Sequence, residues 1–191
     1  YPKFAMPPGE LETLFDGILD SKGGELSDYD AIITGFLYSS DQLEVISNGV
    51  ARIKEQPSGK DTIVVVDPVL GDNGKFYSLG SESLLDSYKR TLLKHADYIT
   101  PNVFEAEMFS GVTIHSLDDV RIACLALKKL CPNVKGIVIT GVHLNQFYQD
   151  KRGQWEDVLL SELPQWSQCS SSRCPGYVGL SFDNSQYLRT K

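Results

Sequence analysis

Short β-branched segments alternate with helix-length amphipathic patterns through most of this chain. Apolar β-branched segments of this length are typical of strands that are covered on both faces of a sheet. Parallel strands need long crossover connections between them, and these are almost always right-handed. The sequence therefore predicts an α/β protein with a doubly wound, mostly parallel sheet and helices on both faces. The four predicted strands are residues 29–34, 62–67, 97–100 and 136–140.

The pattern changes after Gly141. Two apolar segments, 147–149 and 155–160, flank Asp150-Lys151-Arg152-Gly153 and predict a β-hairpin on the edge of the sheet. Residues 167–191 have no periodicity and contain little that could pack in a core. We therefore expect one α/β domain over residues 1–166, followed by an irregular, disordered tail over residues 167–191.

Composition excludes several classes of protein. The net charge of −7 argues against general binding to nucleic acid or to an anionic membrane. No apolar run approaches the roughly 20 residues that span a bilayer, and no signal-peptide pattern begins the chain. The 4 cysteines are too few for a disulfide-stapled fold, and Cys169 and Cys174 lack partners at zinc-ligand spacing. We expect a reduced, cytosolic protein.

Three predicted strands end in polar residues that should share one edge of the sheet: Asp67, Thr100 and Thr140. Pro68 ends the strand before it because proline cannot donate to the β-ladder. Ligands of open α/β sheets bind outside the carboxyl ends of the strands. The sequence therefore predicts a single binding groove along this edge.

The loop after the second predicted strand carries two carboxylates, Asp67 and Asp72. Such a pair could hold a divalent cation, directly or through water, together with the phosphates of a nucleotide. Asp72-Asn73-Gly74 is also typical of a simple turn, so both interpretations of Asp72 stay open. Asp67 lies at a strand end, where a functional role is favoured.

Asn102 and Glu105 have the spacing of a capping box, which is worth roughly 1 kcal/mol and needs no ligand. A helix that begins at this edge is also an anion site, so both roles can hold together. Glu107 cannot share a helix face with Glu105, and we favour Glu105 for the groove. The hydroxyl of Thr140 and the amide of Gly141 are suited to a phosphate oxygen. The chain contains no P-loop motif and no G-x-G-x-x-G after a strand.

Two segments closely resemble the paired motifs of the pyridoxal kinases, in the ribokinase-like superfamily. They are Asp67-Pro68-Val69-Leu70-Gly71-Asp72 and Ile99-Thr100-Pro101-Asn102-Val103-Phe104-Glu105-Ala106-Glu107. Residues 30–35, 96–98, 110–111 and 137–140 also match in the family's order, so the resemblance covers roughly residues 9–165. The related hydroxymethylpyrimidine kinases share D-P-V and T-P-N, whereas L-G-D and F-E-A-E favour the eukaryotic type of pyridoxal kinase.

The resemblance implies ATP-dependent phosphorylation of the 5′-hydroxymethyl group of pyridoxal, pyridoxine or pyridoxamine. It implies ATP and Mg²⁺ as cofactors, K⁺ as a further cation, and a cytoplasmic homodimer. Carried over by position, four residues hold Mg²⁺ and its waters: Asp67, Asp72, Asn102 and Glu105. These four, together with Thr100, Thr140 and Gly141, form the nucleotide site, and Phe36 lies near the vitamin ring.

Two elements of the family pattern do not occur in the sequence. One is an N-terminal strand with a Ser/Gly-rich segment, and the other is G-T-G-D, whose Asp is the general base and whose amides stabilise the transferring phosphoryl group. Loss of a general base costs about 10²–10⁴ in rate, and loss of each oxyanion donor roughly 10²–10³. No catalytic residue is therefore assigned, and we hypothesise an incomplete pyridoxal kinase with impaired activity. The alternatives are a catalytically inactive nucleotide-binding or regulatory module of the same fold, and a relative of the hydroxymethylpyrimidine kinases.

Overall fold

Helices and strands alternate along the chain, as the sequence predicts. The structure is a computed structural model that describes residues 5–19, 29–55, 61–77, 81–141 and 178–181. The predicted hairpin at 147–160 lies outside these residues. The helices are α1 (Pro8–Leu19), α2 (Ser40–Lys54), α3 (Ser81–Arg90), a 3-10 helix (Leu92–His95), α4 (Val103–Ser110) and α5 (Leu117–Leu130). The strands are β1 (Ala31–Thr34), β2 (Ile63–Val66), β3 (Gly71–Asp72), β4 (Lys75–Phe76), β5 (Tyr98–Ile99), β6 (Gly136–Ile139) and β7 (Val178–Ser181).

Five of these strands form one mixed sheet in the order β1-β2-β5-β6-β7. The first four are mutually parallel, and β7 pairs antiparallel with β6. The predicted α/β class with a mostly parallel sheet is confirmed. No described helix is both long enough and apolar enough to cross a membrane.

Strand β7 falls inside the segment that the sequence predicts to be an irregular tail. Its 4 residues pair with β6, from Gly136 opposite Ser181 to Ile139 opposite Val178. The prediction is therefore wrong at these residues, and the rest of 167–191 is outside the described part of the chain. A physical reason is that the backbone groups along one side of β6 would otherwise have no sheet partner.

The core lies on one face of the sheet. Residues paired across parallel strands share a face, and Val64, Val66, Ile99 and Ile137 on the helical side are almost completely buried. Because the parallel strands follow one another in chain order, right-handed crossovers place α2 to α5 on this same side. On the opposite face Ile33 is 75% exposed. Within the described residues, the helices thus cover one face of the sheet, whereas the sequence predicts helices on both faces.

An ion-pair cluster around Asp97 holds the other end of the sheet together. The buried Asp97 carboxylate accepts hydrogen bonds from the Val64 N–H and the Lys54 ammonium, each at 2.8 Å, and lies 3.3 Å from the Lys135 ammonium. Burial acts to raise the pKa of Asp97, but Lys54, the Val64 amide and Lys135 together hold it below its ordinary value. The charged form of Asp97 is thus favoured in the folded chain.

Replacing Asp97 with asparagine should lower the free energy of unfolding by about 2 kcal/mol at pH 7. Both ion pairs are lost, while the asparagine oxygen can still accept from the Val64 N–H. The lysines are partly exposed and can turn to solvent, which limits the loss. The lowered pKa means that this stability is present above the ordinary value of 3.8 and is lost as the pH falls through the folded value. Urea denaturation at pH 7 and pH 3 measures it.

The control for this prediction is Asp61→Asn. Asp61 lies 3.5 Å from the same lysine, Lys135, but its side chain is 88% exposed. Solvent screens such a pair, so no measurable change is expected. Equal effects of the two substitutions would contradict a special role for Asp97.

Candidate functional site

Four predicted site residues follow neighbouring strands at one edge of the sheet, which we call the carboxyl rim: Asp67, Thr100, Asn102 and Thr140. Backbone hydrogen bonds join these positions to the neighbouring strands. The Asp67 N–H donates to the Thr34 carbonyl, the Thr100 N–H to the Val66 carbonyl and the Thr140 N–H to the Pro101 carbonyl, at 2.9–3.1 Å. Asn102 and Thr140 also form a parallel bridge. The expectation that these strand ends share one edge is confirmed.

The predicted capping box is present at the start of α4. The Asn102 side-chain oxygen accepts from the Glu105 N–H, and Glu105 Oε2 accepts from the Asn102 N–H, both at 2.9 Å. Glu107 faces elsewhere, where it accepts from the Ile114 N–H at 2.7 Å. The prediction that the two glutamates point apart, with Glu105 on the side of the rim, is confirmed.

Asn102 and Glu105 also bind the loop after β2, and we call this pair the clamp. Glu105 Oε1 accepts from the Leu70 N–H at 2.9 Å and from the Gly71 N–H at 3.5 Å. The Asn102 side-chain amide donates to the Gly71 carbonyl at 2.7 Å. Sequence reasoning missed these contacts. They fix the loop that carries Asp67 and Asp72 to the N-terminus of α4.

The loop itself folds into a small hairpin, β3–β4. Asn73 and Gly74 have φ values of 49° and 73°, which suit the tight turn of a two-residue hairpin. The exposed Asp72 carboxylate accepts from the Asn73 N–H at 2.7 Å and from the Asn73 side-chain amide at 3.1 Å. These contacts agree with the turn interpretation of Asp72, while its carboxylate remains open to solvent.

The two carboxylates at the rim carry negative charge that the protein compensates only in part. Burial raises the pKa of Glu105 above its ordinary value, although three backbone N–H groups lower it, and the charge of Asp67 raises it further. Burial also raises the pKa of Asp67, against a hydrogen bond from Thr100. A bound cation would offset this charge.

The donor set fits magnesium that arrives with phosphate. Among the described residues, no group of three or more His, Cys, Asp or Glu side chains is placed to hold a metal ion. Mg²⁺ needs only one or two protein carboxylates when substrate phosphates and water complete its coordination. The rim thus suits a magnesium–nucleotide complex better than a metal centre built from protein ligands alone.

Two predicted site residues border the rim. Phe36, just after β1, is 46% exposed. Gly141 follows Thr140 with a φ of 69°, in the left-handed region that favours glycine, and a Cβ there would meet nothing within 4 Å. Among the described residues, nothing therefore blocks the approach of a ligand to Gly141.

A buried tyrosine is the residue at the rim that sequence reasoning did not assign to the site. Tyr88 lies on α3 and is fully buried. In the described part of the chain, its hydroxyl and the Thr34 hydroxyl are the buried side-chain atoms without a hydrogen-bond partner. A tyrosine at a core position could have indicated this role, because a buried tyrosine hydroxyl ordinarily needs a hydrogen-bond partner.

Comparison with known proteins identifies the family of this chain. A family model described as phosphomethylpyrimidine kinase matches residues 24–176. The pyridoxal kinase of Dictyostelium discoideum is 33% identical over 72% of this chain and 43% of its own length. The human pyridoxal kinase is 34% identical over 71% of this chain and 42% of its own. The chain thus spans less than half the length of these relatives.

Two solved structures that resemble the fold are also pyridoxal kinases. A pyridoxal kinase from Leishmania donovani, in complex with ADP and pyridoxamine, superposes with a TM-score of 0.65 at 30% identity, over 78% of this chain and 49% of that one. A pyridoxal kinase from Entamoeba histolytica gives a TM-score of 0.64 at 30% identity, over 74% and 48%. The chain therefore belongs to the phosphomethylpyrimidine kinase family, among the ribokinase-like proteins that include the pyridoxal kinases.

Proposed function

We propose that the chain serves the ATP-dependent phosphorylation of the 5′-hydroxymethyl group of a B6 vitamer: pyridoxal, pyridoxine or pyridoxamine. The observation that carries the proposal is the partly compensated carboxylate pair at the carboxyl rim, Asp67 and Glu105, in which Glu105 also binds the loop that follows Asp67. Phosphoryl transfer depends mainly on positioning and on neutralising phosphate charge. The relatives are pyridoxal kinases, one of them solved with ADP and pyridoxamine.

Each site residue has a role in this proposal. Asp67 and Asp72, with Asn102 and Glu105, hold Mg²⁺ or its waters, and the ion would neutralise phosphate charge when bound. Thr100 supports Asp67, Thr140 and Gly141 contact the nucleotide phosphates, and Phe36 packs near the vitamin ring. K⁺ is a second cation in the proposal, and titrations of nucleotide binding with KCl against NaCl at equal ionic strength test it.

A nucleotide-binding module without turnover is the second candidate. The observation behind it is that G-T-G-D, which carries the general base in the family pattern, does not occur among the 191 residues. A coupled assay with ATP, Mg²⁺ and pyridoxal decides between the two. Turnover within about 10-fold of ordinary kinases, which reach 1–100 s⁻¹, would contradict the hypothesis of impaired activity. ADP binding without turnover would support the module.

The assembly and location of the chain are also proposals. The resemblance to the family favours a cytoplasmic homodimer. Sedimentation of the chain across a range of concentrations tests the dimer, and a single monomeric species at every concentration would contradict it. Fractionation of the source cells tests the location.

Asp67→Asn tests the metal role directly. We expect the affinity for ADP in the presence of Mg²⁺ to fall about 10- to 100-fold, because the substitution removes a charged oxygen ligand while it keeps the shape of the side chain. Since burial raises the pKa of Asp67, protons should compete with Mg²⁺ at a higher pH than at an ordinary aspartate. Calorimetric titration with ADP, with and without Mg²⁺, between pH 5 and pH 8 measures both effects.

The control for Asp67 is Asp86→Asn, which makes the same change in charge at an exposed position on α3. It should leave the affinity for ADP unchanged with and without Mg²⁺. Equal losses in the two variants would attribute the effect to net charge and would contradict a specific role for Asp67.

A further inference from the structure

The buried hydroxyl of Tyr88 has no partner among the described residues. A phenol hydroxyl is both a donor and an acceptor, and burying it without a hydrogen bond is unfavourable. Tyrosine can be replaced by phenylalanine wherever only the ring is needed. A fully buried hydroxyl at this position therefore calls for a partner that the described residues do not supply.

The surroundings of Tyr88 indicate which groups its hydroxyl could serve. Its ring packs edge-on against Phe109, with centroids 6.0 Å apart and planes at 89°. Phe109 is one helical turn after Glu105 on α4, so both lie on the same side of that helix. Besides burial, the charges of Asp67 and Glu105 raise the pKa of Tyr88. The ring contact thus places Tyr88 beside the helix that carries Glu105, and its hydroxyl is neutral and available as a donor there.

We propose that Tyr88 is a positioning residue for the nucleotide–metal site: its hydroxyl donates to a single buried water, and this water donates in turn to the Asp67 carboxylate. The inference rests on the proposed function, because Asp67 is its proposed magnesium ligand. Asp67 is favoured over Glu105 as the acceptor since the Glu105 carboxylate already accepts three backbone N–H groups. Among the described residues, the side-chain hydrogen bond recorded for Asp67 is the one with Thr100.

This arrangement would orient the carboxylate that meets the cation. With Thr100 on one side and the water on the other, Asp67 would be held in one rotamer and stabilised in its charged form. Groups that orient metal ligands in this way are commonly worth 10- to 100-fold in metal affinity. The same hydrogen bonds would satisfy Tyr88, so the stability of the chain and its affinity for the metal complex would depend on one hydroxyl.

A purely structural Tyr88 predicts the opposite result for Tyr88→Phe. If the hydroxyl has no partner in solution, its removal relieves an unfavourable burial, and the variant should be as stable as the wild type or more stable. If the water bridge exists, removal of the hydroxyl takes away the donor that holds the water against Asp67, and the variant should be less stable. The ring contact with Phe109 is kept in both cases.

The experiment is Tyr88→Phe in the 191-residue chain, with ADP and Mn²⁺ or Mg²⁺ as the probes. We expect about a 10-fold or greater loss of affinity for ADP with Mn²⁺ or Mg²⁺, little change for metal-free ADP, an unchanged circular dichroism spectrum and a lower midpoint in urea. The matched control is Tyr98→Phe, which removes a half-buried hydroxyl from the opposite face of the sheet and should change neither affinity.

Two outcomes separate this inference from the proposed function. If the wild-type chain binds ADP with metal and Tyr88→Phe binds it equally well or better, the inference is wrong and the proposed function stands. If the wild-type chain binds no nucleotide, the proposed function fails, and the urea midpoint then decides whether Tyr88 has a water partner. A midpoint equal to or above the wild-type value overturns the bridge.

Discussion

Replacing Glu105 with glutamine should lower the free energy of unfolding by about 3 kcal/mol and reduce the affinity for ADP with Mg²⁺ more than 100-fold. The Glu105 carboxylate accepts three backbone N–H groups, from Asn102, Leu70 and Gly71. A glutamine side chain has one oxygen, so its amide group would point a donor at a donor and leave a buried N–H without an acceptor. Urea denaturation and calorimetric titration measure the two losses.

The loss of binding follows from the same contacts. Glu105 fixes the loop that carries Asp67 and Asp72, so its replacement releases both proposed ligands at once. The effect on ADP with Mg²⁺ should therefore exceed that of Asp67→Asn alone. Equal losses of affinity in the two variants would contradict the role of the clamp in holding the loop.

The pH dependence of stability gives an independent signature for Glu105. Its pKa in the folded chain is raised above the ordinary value of 4.5. The folded chain therefore binds the Glu105 proton more tightly than the unfolded chain does. The stability that this proton contributes is present below pH 4.5 and is lost as the pH rises through the raised pKa of Glu105. Glu105→Gln should remove this dependence, as urea midpoints between pH 4 and pH 8 would show.

Glu107→Gln is the matched control on the same helix. Glu107 is half-buried and accepts one backbone N–H, from Ile114. The glutamine oxygen can keep that hydrogen bond, so the variant should lose at most about 1 kcal/mol and bind ADP as the wild type does. A loss as large as that of Glu105→Gln would mean that any charge removed from α4 is costly.

The parts of the fold that could be predicted from the sequence depend on local signals. The strand at Val64–Val66 follows from a β-branched run that proline ends, and the start of α4 follows from the spacing of Asn102 and Glu105. The common rim follows from the rule that parallel strands end at one edge. Each of these inferences uses residues within a few positions of one another.

The missed features depend on contacts between distant residues. Glu105 meets Leu70 across 35 positions, and Asn102 meets Gly71 across 31. The sequence Asp72-Asn73-Gly74 is typical of a turn, but the hairpin around it has strands of only 2 residues. Strands this short show no hydrophobic periodicity. Strand β7 pairs with β6 across the chain as well. The sequence thus indicates which residues belong to the rim, but not the hydrogen bonds between them.

Gly71→Ala should cost about 3 kcal/mol of unfolding free energy and should also reduce the affinity for ADP with Mg²⁺ more than 100-fold. A Cβ at this position would overlap the Lys75 carbonyl oxygen and would lie 2.6 Å from the Phe104 ring. The first obstacle is the backbone of the facing strand β4, so the hairpin must open, and the Phe104 ring on α4 pushes Gly71 away from that helix. That movement would break the contacts of Gly71 with Asn102 and Glu105, and urea denaturation with ADP titration measures the result.

Gly74→Ala separates crowding from the general cost of replacing a glycine in this hairpin. A Cβ at Gly74 would meet nothing within 4 Å, but its φ of 73° is unfavourable for alanine, so the cost should be about 1 kcal/mol. Gly74 makes no contact with the clamp in the structure, so the affinity for ADP with Mg²⁺ should persist. If both variants bind equally well, the close packing of Gly71 on α4 does not govern the site, and Asp67 is held by its strand alone.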